Sequence, residues 1–422
     1  MRLGATAVLF AQIAVCQTTV PVELTNNVPI IRAAIGGRTV VMIVDTGAGV
    51  SVIDPGAGLP VRGSASLSGG GGRVHGGQAG PVPVQVGAIT SPPVPFAVVD
   101  LSTLSQFAGR RIDGILGYHF LREYVAEFDY VAGEFRLHGN DFDPAGWQSL
   151  PMKLRDNRPA VRTSLTISAG RSLDALLLVD TGSSSSVTVG AKFAQRQKLP
   201  PPDLPAIADT ALGIGGRMEI RLGRIDGLTL GPNRLDGPLV RFRTGGGGND
   251  DGLLGGEVLR RFRLALDYRA GKLYLRPGEQ VHAPFRPDLS GMRLAWRAPE
   301  FNTAVIDSVA PDRAAAKAGL RPGDELLSLN GRALRELNPE DLRKLFRQAG
   351  TVRLRILRRG TVTRTVSVEP AGGALPPPPV PPPPGPPPLE KLRMLGRSSP
   401  PAKCGAGAAR RGPARGRGAL GG

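Results

Sequence analysis

The chain has 422 residues, and its 58 glycines, 40 prolines and low aromatic content of 5% favour many short strands and turns over a helical bundle. Its formal net charge is +18, of which +7 comes from residues 371–422, where eight basic residues accompany one acid. That tail has no aromatic residue on which bases could stack, and the cysteines and histidines lack zinc-ligand spacing, so no nucleic-acid partner, metal or cofactor is expected.

The N-terminal segment is typical of an export signal. In residues 1–17, MRLGATAVLFAQIAVCQ, one Arg precedes an apolar stretch of about 14 residues, which is too short to span a membrane. We therefore predict a signal peptide over 1–21 and a mature chain without a transmembrane span, located in the periplasm or outside the cell. Two alternatives remain, namely lipidation at Cys16 as a membrane anchor, and a first β-strand of the folded body.

The next feature is an acidic residue at the end of an apolar run. Residues 41–44 predict a buried strand, and Asp45-Thr46-Gly47 follows it directly. A buried carboxylate is costly unless it is hydrogen-bonded, paired or protonated, so Asp45 needs a specific partner.

A second distinct segment runs from residue 113 to residue 138 and reads DGILGYHFLREYVAEFDYVAGEFRLH. Its Asp-Gly-apolar-Leu-Gly start is followed by a short predicted helix, GYHFLREY. A hairpin then follows, in which residues 129–133 supply the turn between alternating apolar positions.

Both features return later in the chain. Residues 176–189, LLLVDTGSSSSVTV, end a second apolar run with Asp180-Thr181-Gly182, 135 residues after the first motif. Residues 251–276 match residues 113–138 without a gap at 11 of 26 positions, which indicates an internal duplication. The sequence therefore predicts two related lobes, over 22–150 and 151–280.

Two carboxyl groups placed together have a definite chemistry. If the lobes pack about a pseudo-twofold axis beside Asp45 and Asp180, the pair shares one proton. The ionised member can take a proton from a bound water while the protonated member donates to a substrate carbonyl oxygen. Gly47 and Gly182 would allow tight turns whose N–H groups approach the carboxylates. The alternative is a pair of Asp-capped turns in an inert β-barrel.

On these residues, the chain resembles a retropepsin-like aspartic protease with two lobes in one polypeptide. The matching parts are both Asp-Thr-Gly motifs and both apolar-apolar-Gly elements, residues 115–117 and 253–255. The resemblance implies that Asp45 and Asp180 are the catalytic pair. It also implies a monomeric catalytic unit, because both halves of the site are present in one chain.

The resemblance further implies two kinds of supporting feature. Thr46 and Thr181 are expected to brace the two turns against each other. Flexible hairpins over the cleft are expected at residues 68–77 and 212–220, both of which are rich in glycine. Disordered glycine loops are the alternative for these two segments.

The two motifs differ at the following position, which is Ala48 in the first lobe and Ser183 in the second. A hydroxyl beside Asp180 would stabilise its ionised form, and Asp45 has no equivalent donor. The sequence therefore predicts that Asp45 holds the shared proton in the free protein.

Residues 286–370 have a different pattern from the two lobes. AAAKAGLRPGD, residues 314–324, predicts a small helix that Gly319 ends, and Asn330-Gly331 is a hairpin signal. A second predicted helix, NPEDLRKLFRQAG, and two basic strands complete the segment.

This segment resembles a PDZ domain, a class of domain that adds a peptide strand to a sheet edge and holds its terminal carboxylate on backbone N–H groups. The matching loop gives Gly291, Met292, Arg293 and Leu294 as the predicted peptide-binding residues. The loop departs from the usual Gly-Leu-Gly-Phe, which leaves capture of a terminal carboxylate open.

The predicted fold is mostly β, with two pseudo-twofold-related retropepsin-like β-barrel lobes, a C-terminal α+β PDZ domain and a disordered tail rich in Pro, Arg and Gly over 371–422. The predicted function is an exported aspartic endopeptidase with a polypeptide substrate, whose PDZ domain binds substrate or partner peptides. The alternative is a catalytically silent protease-like scaffold that binds peptides through the PDZ domain.

Overall fold

The computed structural model describes residues 17–368, apart from residues 169, 247, 349 and 361. Most of the predicted signal peptide, Cys16, Cys404 and the tail over 371–422 lie outside the described residues. In the part of the chain that is described, no helix combines the length and the apolar character needed to cross a membrane.

The first lobe contains short strands and two short α-helices. Its strands are β1 (Gln17–Pro21), β2 (Glu23–Thr25), β3 (Val28–Ile35), β4 (Arg38–Val44), β5 (Ser51–Ile53), β6 (Val61–Gly69), β7 (Gly72–Val82), β8 (Val84–Val86), β9 (Ile89–Thr90), β10 (Val94–Val98), β11 (Gly114–Leu116), β12 (Val125–Asp129) and β13 (Glu134–His138). Its helices are α1 (Ser102–Ala108) and α2 (Tyr118–Leu121), with a 3-10 turn at Pro55–Ala57.

The centre of this lobe is built around the strand that precedes the first Asp-Thr-Gly motif. β3 and β4 form a hairpin closed by Gly36 and Gly37, whose φ angles of +57° and +77° glycine adopts without strain. β11 then inserts between β4 and β5, parallel to the first and antiparallel to the second. The strand order is β6-β7-β10-β5-β11-β4-β3-β8-β9.

The second lobe repeats this topology. Its strands are β14 (Gln148–Arg155), β15 (Arg158–Thr166), β16 (Ser172–Val179), β17 (Val187–Val189), β18 (Ala206–Gly213), β19 (Gly216–Arg224), β20 (Gly227–Leu230), β21 (Asn233–Asp236), β22 (Leu239–Arg243), β23 (Gly252–Leu254), β24 (Phe262–Asp267) and β25 (Lys272–Pro277), and its helices are α3 (Ala191–Gln197) and α4 (Gly256–Leu259). The order β15-β16-β23-β17-β22-β19-β18 corresponds strand by strand to β3-β4-β11-β5-β10-β7-β6. The predicted duplication is therefore a duplication of the fold.

The closing hairpins of the two repeats join the lobes in one sheet, with the order β1-β13-β12-β24-β25-β14. β12 pairs with β24 in antiparallel register, from Val125 opposite Asp267 to Phe128 opposite Leu264. β1 pairs with β13. Residues 17–21, which the predicted signal peptide includes, therefore form an edge strand of this shared sheet.

A buried ionic network crosses this shared sheet. Glu127, 1% exposed, accepts hydrogen bonds from Arg136 of its own lobe at 2.5 Å and from Arg263 of the second lobe at 2.6 Å. His138 Nε2 lies 2.8 Å from the other carboxylate oxygen. His138 is thus a buried partner of Glu127, and not the exposed histidine that its isolated position in the sequence suggests.

The third part of the chain has its own hydrophobic core. It contains β26 (Met292–Trp296), β27 (Ala304–Val309), α5 (Ala314–Lys317), β28 (Glu325–Leu329), β29 (Arg332–Ala333), a 3-10 turn at Leu334–Glu336, α6 (Pro339–Phe346), β30 (Val352–Arg358) and β31 (Val362–Val368). The sheet order β26-β27-β28-β30-β31 makes β26 an edge strand. The mostly β class, the two repeated lobes and the α+β third domain are confirmed.

Candidate active site

Each Asp-Thr-Gly turn rests on the apolar-Leu-Gly element of its own lobe. The Asp45 N–H donates to the carbonyl of Leu116 at 2.9 Å, and the Asp180 N–H donates to the carbonyl of Leu254 at 2.9 Å. This is the packing that the spacing of the two motifs predicts, and it fixes where each turn leaves its strand.

A second acidic pair supports the strands that lead into these turns. Asp113 Oδ2 accepts the Val41 N–H at 2.8 Å, and Asp251 Oδ2 accepts the Leu176 N–H at 3.0 Å. The sequence indicated these two residues, because each is the first residue of one copy of the duplicated segment. It did not show that they accept hydrogen bonds from the strands that lead into the Asp-Thr-Gly turns.

The two threonines connect the turns across the pseudo-twofold axis. Thr46 Oγ1 donates to the carbonyl of Val179 at 2.5 Å and accepts the Thr181 N–H at 3.1 Å. Thr181 Oγ1 donates to the carbonyl of Val44 at 2.7 Å and accepts the Thr46 N–H at 3.0 Å. Both threonines are fully buried, so the structure places them in the bracing positions that the sequence indicates.

This reciprocal network makes a prediction about stability. Thr181→Val keeps the shape of the side chain but leaves the Val44 carbonyl and the Thr46 N–H buried without their partner, which we expect to cost about 2–4 kcal/mol in the free energy of unfolding. Thr181→Ser retains the hydroxyl and serves as the matched control. Urea unfolding of both variants measures the difference, and equal midpoints would show that the hydroxyl contacts do not hold the lobes together.

The two carboxyl groups meet between the turns. The Asp45 and Asp180 side chains share a hydrogen bond, and the Gly47 N–H donates to Asp45 Oδ1 at 2.7 Å. A Cβ atom on Gly47 would lie 2.5 Å from Asp180 Cγ, and one on Gly182 would lie 2.2 Å from Asp45 Cγ. Each glycine is therefore required because its backbone approaches the aspartate of the opposite lobe.

The two aspartates titrate as a pair. Burial raises the pKa of Asp45, while N–H groups of Gly47 and Gly182 act against that rise. Burial raises the pKa of Asp180 well above its usual range, and the neighbouring charge of Asp45 raises it further. Both shifts favour retention of one proton by the pair.

The sequence-based prediction gives this proton to Asp45, because the Ser183 hydroxyl would stabilise an ionised Asp180. In the structure Ser183 Oγ lies 2.9 Å from Ser185 Oγ, while the Ser183 backbone N–H hydrogen-bonds to Asp180 and acts against the rise of its pKa. The Ser183 hydroxyl is therefore engaged by Ser185.

Both glycine-rich segments form hairpins. We name residues 61–82, formed by β6 and β7, flap 1, and residues 206–224, formed by β18 and β19, flap 2. The flaps meet at their tips, where the Gly215 N–H donates to the carbonyl of Gly70 at 2.9 Å. Ile214 packs on an apolar cluster of lobe 1 that also borders Ala48, so the tip of flap 2 lies beside the first catalytic turn.

Comparison with known proteins agrees with this geometry. A family model described as aspartyl protease matches residues 31–120 and 164–258, which are the two lobes. Over these two segments the chain is similar to aspartyl proteases. A model described as a PDZ domain matches residues 305–359, within the third domain.

Among solved structures, the aspartic proteinase from Irpex lacteus is 16% identical to this chain, with a TM-score of 0.42. The match covers 63% of this chain and 99% of that chain. No curated protein matches the chain.

The predicted peptide-binding loop of the PDZ domain makes contacts within the chain itself. Met292 is buried in the domain core, and Leu294 packs against that core. Gly291 has a φ of +71°, and the Arg293 guanidinium donates to the carbonyl of Thr210 in flap 2. The side chain of Arg293 therefore binds flap 2 of the same chain.

Two N–H donors next to this loop are also occupied. The Leu289 N–H donates to the carbonyl of Phe346 at 2.8 Å, and the Ser290 N–H donates to Asp288 Oδ1 at 2.8 Å. An external carboxylate would have to compete with these partners for the two donors.

The edge strand of the PDZ domain is covered by lobe 1, because α1 packs against β26. A Cβ atom on Gly109, which ends α1, would lie 2.4 Å from Pro339 Cγ and 3.0 Å from the Trp296 indole. Arg343 of α6 donates to the carbonyl of Phe107 at 2.8 Å, and Glu340 accepts the Asn26 N–H at 2.7 Å. No local sequence pattern encodes these contacts, because they join residues more than 180 positions apart.

Proposed function

We propose that the chain is an aspartic endopeptidase that hydrolyses peptide bonds with a water activated between Asp45 and Asp180. One observation carries this proposal. The two carboxyl groups are in hydrogen-bond contact, both are desolvated, and the pKa of Asp180 is raised further than that of Asp45. Such a pair holds one proton between two acids, which is the state that general acid–base hydrolysis of an amide requires.

The roles follow from the protonation of the pair. Asp45, ionised and held by the Gly47 N–H, takes a proton from the attacking water. Asp180 donates its proton to the substrate carbonyl oxygen as the tetrahedral diol forms. Asp45 then passes its proton to the amide nitrogen, and the C–N bond breaks as one diol hydroxyl returns its proton to Asp180. The acid and amine products leave, and the pair is restored. The threonine contacts between the lobes keep the two carboxyl groups in position during both steps.

The remaining parts of the proposal concern the oligomeric state of the protein, the ligand of its PDZ domain and its location. The catalytic unit is a monomer, which is supported by the presence of both Asp-Thr-Gly turns in one chain. The PDZ domain binds substrate or partner peptides, and the N-terminal apolar stretch directs export to the periplasm or beyond.

Incubation of the full chain with a mixed peptide library tests the catalytic proposal. We expect cleavage products at mildly acidic pH, and complete inhibition by a transition-state mimic that carries a hydroxyl in place of the tetrahedral diol. Absence of products from pH 3 to pH 7 would instead favour the silent scaffold that binds peptides through the PDZ domain.

The pH profile of cleavage adds a second criterion. Activity requires one proton on the pair, so it falls on the acid side as Asp45 gains a proton and on the alkaline side as Asp180 loses its own. Because burial raises the pKa of Asp180 well above its usual range, we expect activity to persist above the pH at which an ordinary pair of carboxyl groups is fully ionised. A profile that already declines above pH 4 would contradict this.

A further inference from the structure

The PDZ domain holds one of the two flaps. Arg217 of flap 2 forms an ion pair with Asp307 of β27. Arg293 of β26 donates to the carbonyl of Thr210, on the opposite strand of the same hairpin. Both strands of flap 2 are therefore tied to the same domain, one through a side chain and the other through the backbone.

Among the described residues, the equivalent residue of flap 1 makes no such ion pair with the PDZ domain. Arg73 follows the glycine turn of flap 1 just as Arg217 follows that of flap 2, and each is the second residue of its returning strand. Arg73 is exposed and makes no ion pair among the described residues 17–368. The third domain thus breaks the symmetry that the duplication created between the two flaps.

The other side of the PDZ domain is anchored to lobe 1. Arg343 binds the carbonyl of Phe107, and Pro339 and Trp296 lie against the end of α1 at Gly109. The domain therefore bridges from lobe 1 to the flap of lobe 2. Flap 2 cannot move away from flap 1 on its own without breaking the contacts of Arg217 and Arg293.

Not every polar group at the contact between flap 2 and the PDZ domain has a hydrogen-bond partner. Arg293 Nη1 and Asp307 Oδ2 are buried without a protein partner. Burying unpaired polar groups costs free energy, which offsets part of the gain from the ion pair and the hydrogen bond. Such a contact is suited to opening and closing.

We propose that the PDZ domain is an intramolecular clamp that holds flap 2 against flap 1 and so limits access to the catalytic cleft. The effect on cleavage rests on the proposed peptidase function, whereas the clamp itself is a physical property of the flap. In this arrangement flap 1 opens independently of the PDZ domain. Flap 2 opens only after its contacts with the PDZ domain have broken.

Hydrogen exchange of the full chain, followed by mass spectrometry, tests the clamp without relying on activity. In the double variant Arg217→Ala/Arg293→Ala, we expect amides of residues 206–224 to exchange at least about fivefold faster than in the wild type. Arg73→Ala removes the matched residue from flap 1 and should leave exchange of flap 2 unchanged. Equal exchange of flap 2 in the double variant and the wild type would overturn the proposal.

A charge exchange provides an independent criterion. Arg217→Asp alone should accelerate exchange of flap 2, and the pair Arg217→Asp/Asp307→Arg should restore it towards the wild-type rate. Failure of restoration, with the fold intact by circular dichroism, would mean that the ion pair does not hold the flap.

Cleavage rates then separate this inference from the proposed function. We expect kcat/KM of the double variant to rise about two- to fivefold, because release of flap 2 eases substrate entry. Faster exchange with no cleavage by any form would support the clamp and reject the peptidase. Cleavage with unchanged flap exchange would support the peptidase and reject the clamp.

Discussion

Asp180→Asn is expected to abolish peptide cleavage, lowering kcat/KM by at least ~10³-fold, while making the fold more stable at pH 7. The activity is lost because the amide of Asn cannot pass its proton to the substrate oxygen. The stability rises because the substitution removes a carboxyl group that burial and Asp45 disfavour in its charged form.

The direction of the stability change follows from proton binding. The pKa of Asp180 is higher in the folded than in the unfolded chain, so between these two values the folded chain binds more protons and its stability falls as pH rises. Asn has no such titration. The stability difference between Asp180→Asn and the wild type should therefore be small near pH 3 and grow as pH rises, which urea unfolding at several pH values measures.

A structural aspartate of lobe 1 serves as the control. Asp54 accepts the Gly56 N–H at 2.7 Å and the Leu101 N–H at 2.9 Å, and so stabilises a turn outside the catalytic pair. Asp54→Asn should retain cleavage, whereas Asp45→Asn should lose it as completely as Asp180→Asn. Substantial cleavage by either catalytic-site variant would reject the two-aspartate mechanism.

The second large effect concerns the ionic network between the lobes. Glu127→Gln is expected to lower the free energy of unfolding by about 3 kcal/mol at pH 7. Burial alone would raise the pKa of Glu127, but hydrogen bonds from His138, Arg136 and Arg263 outweigh it and hold the pKa at about 2. The neutral amide removes the buried negative charge that the partly buried Arg136 and Arg263 share, and leaves Asp129 as their common carboxylate at 3.6 and 3.5 Å.

The effect of this substitution depends on pH in the opposite sense to that of Asp180→Asn. The pKa of Glu127 is depressed in the fold, so its stabilising contribution is present above the ordinary glutamate pKa of 4.5 and is lost as pH falls towards 2. Glu134→Gln is the matched control, because Glu134 binds the same Arg136 but its side chain is 36% exposed, against 2% for Glu127. A loss as large for Glu134→Gln as for Glu127→Gln would show that burial of the network is not decisive.

The sequence predicts the catalytic pair and the two lobes because their signals are local and occur twice. An apolar strand followed by Asp-Thr-Gly fixes each turn, and the repeated segments at 113–138 and 251–276 fix how the lobes correspond. The hairpins of the flaps are implied by the family resemblance, at two segments rich in glycine for which disordered loops were the alternative.

The sequence could not predict features that depend on orientation or on distant partners. Whether the Ser183 hydroxyl faces Asp180 or Ser185 is decided by its rotamer and by a neighbouring hydroxyl, which no pattern encodes. Strand β1 directly follows an apolar stretch that is typical of a signal peptide. The sequence alone therefore did not show that residues 17–21 form a strand of the shared sheet. The contacts of Arg217 and Arg343 with distant residues depend on how a separate domain docks, and domain docking leaves no periodic signal.

The covered edge of the PDZ domain has a consequence for measured ligand affinity. A peptide that adds as a strand at β26 can bind only those molecules in which α1 has moved away from that edge. If roughly one molecule in a hundred has the edge free, the apparent Kd is about a hundredfold weaker than the intrinsic one. Weak binding to the intact chain would then reflect self-competition and not a poorly matched ligand.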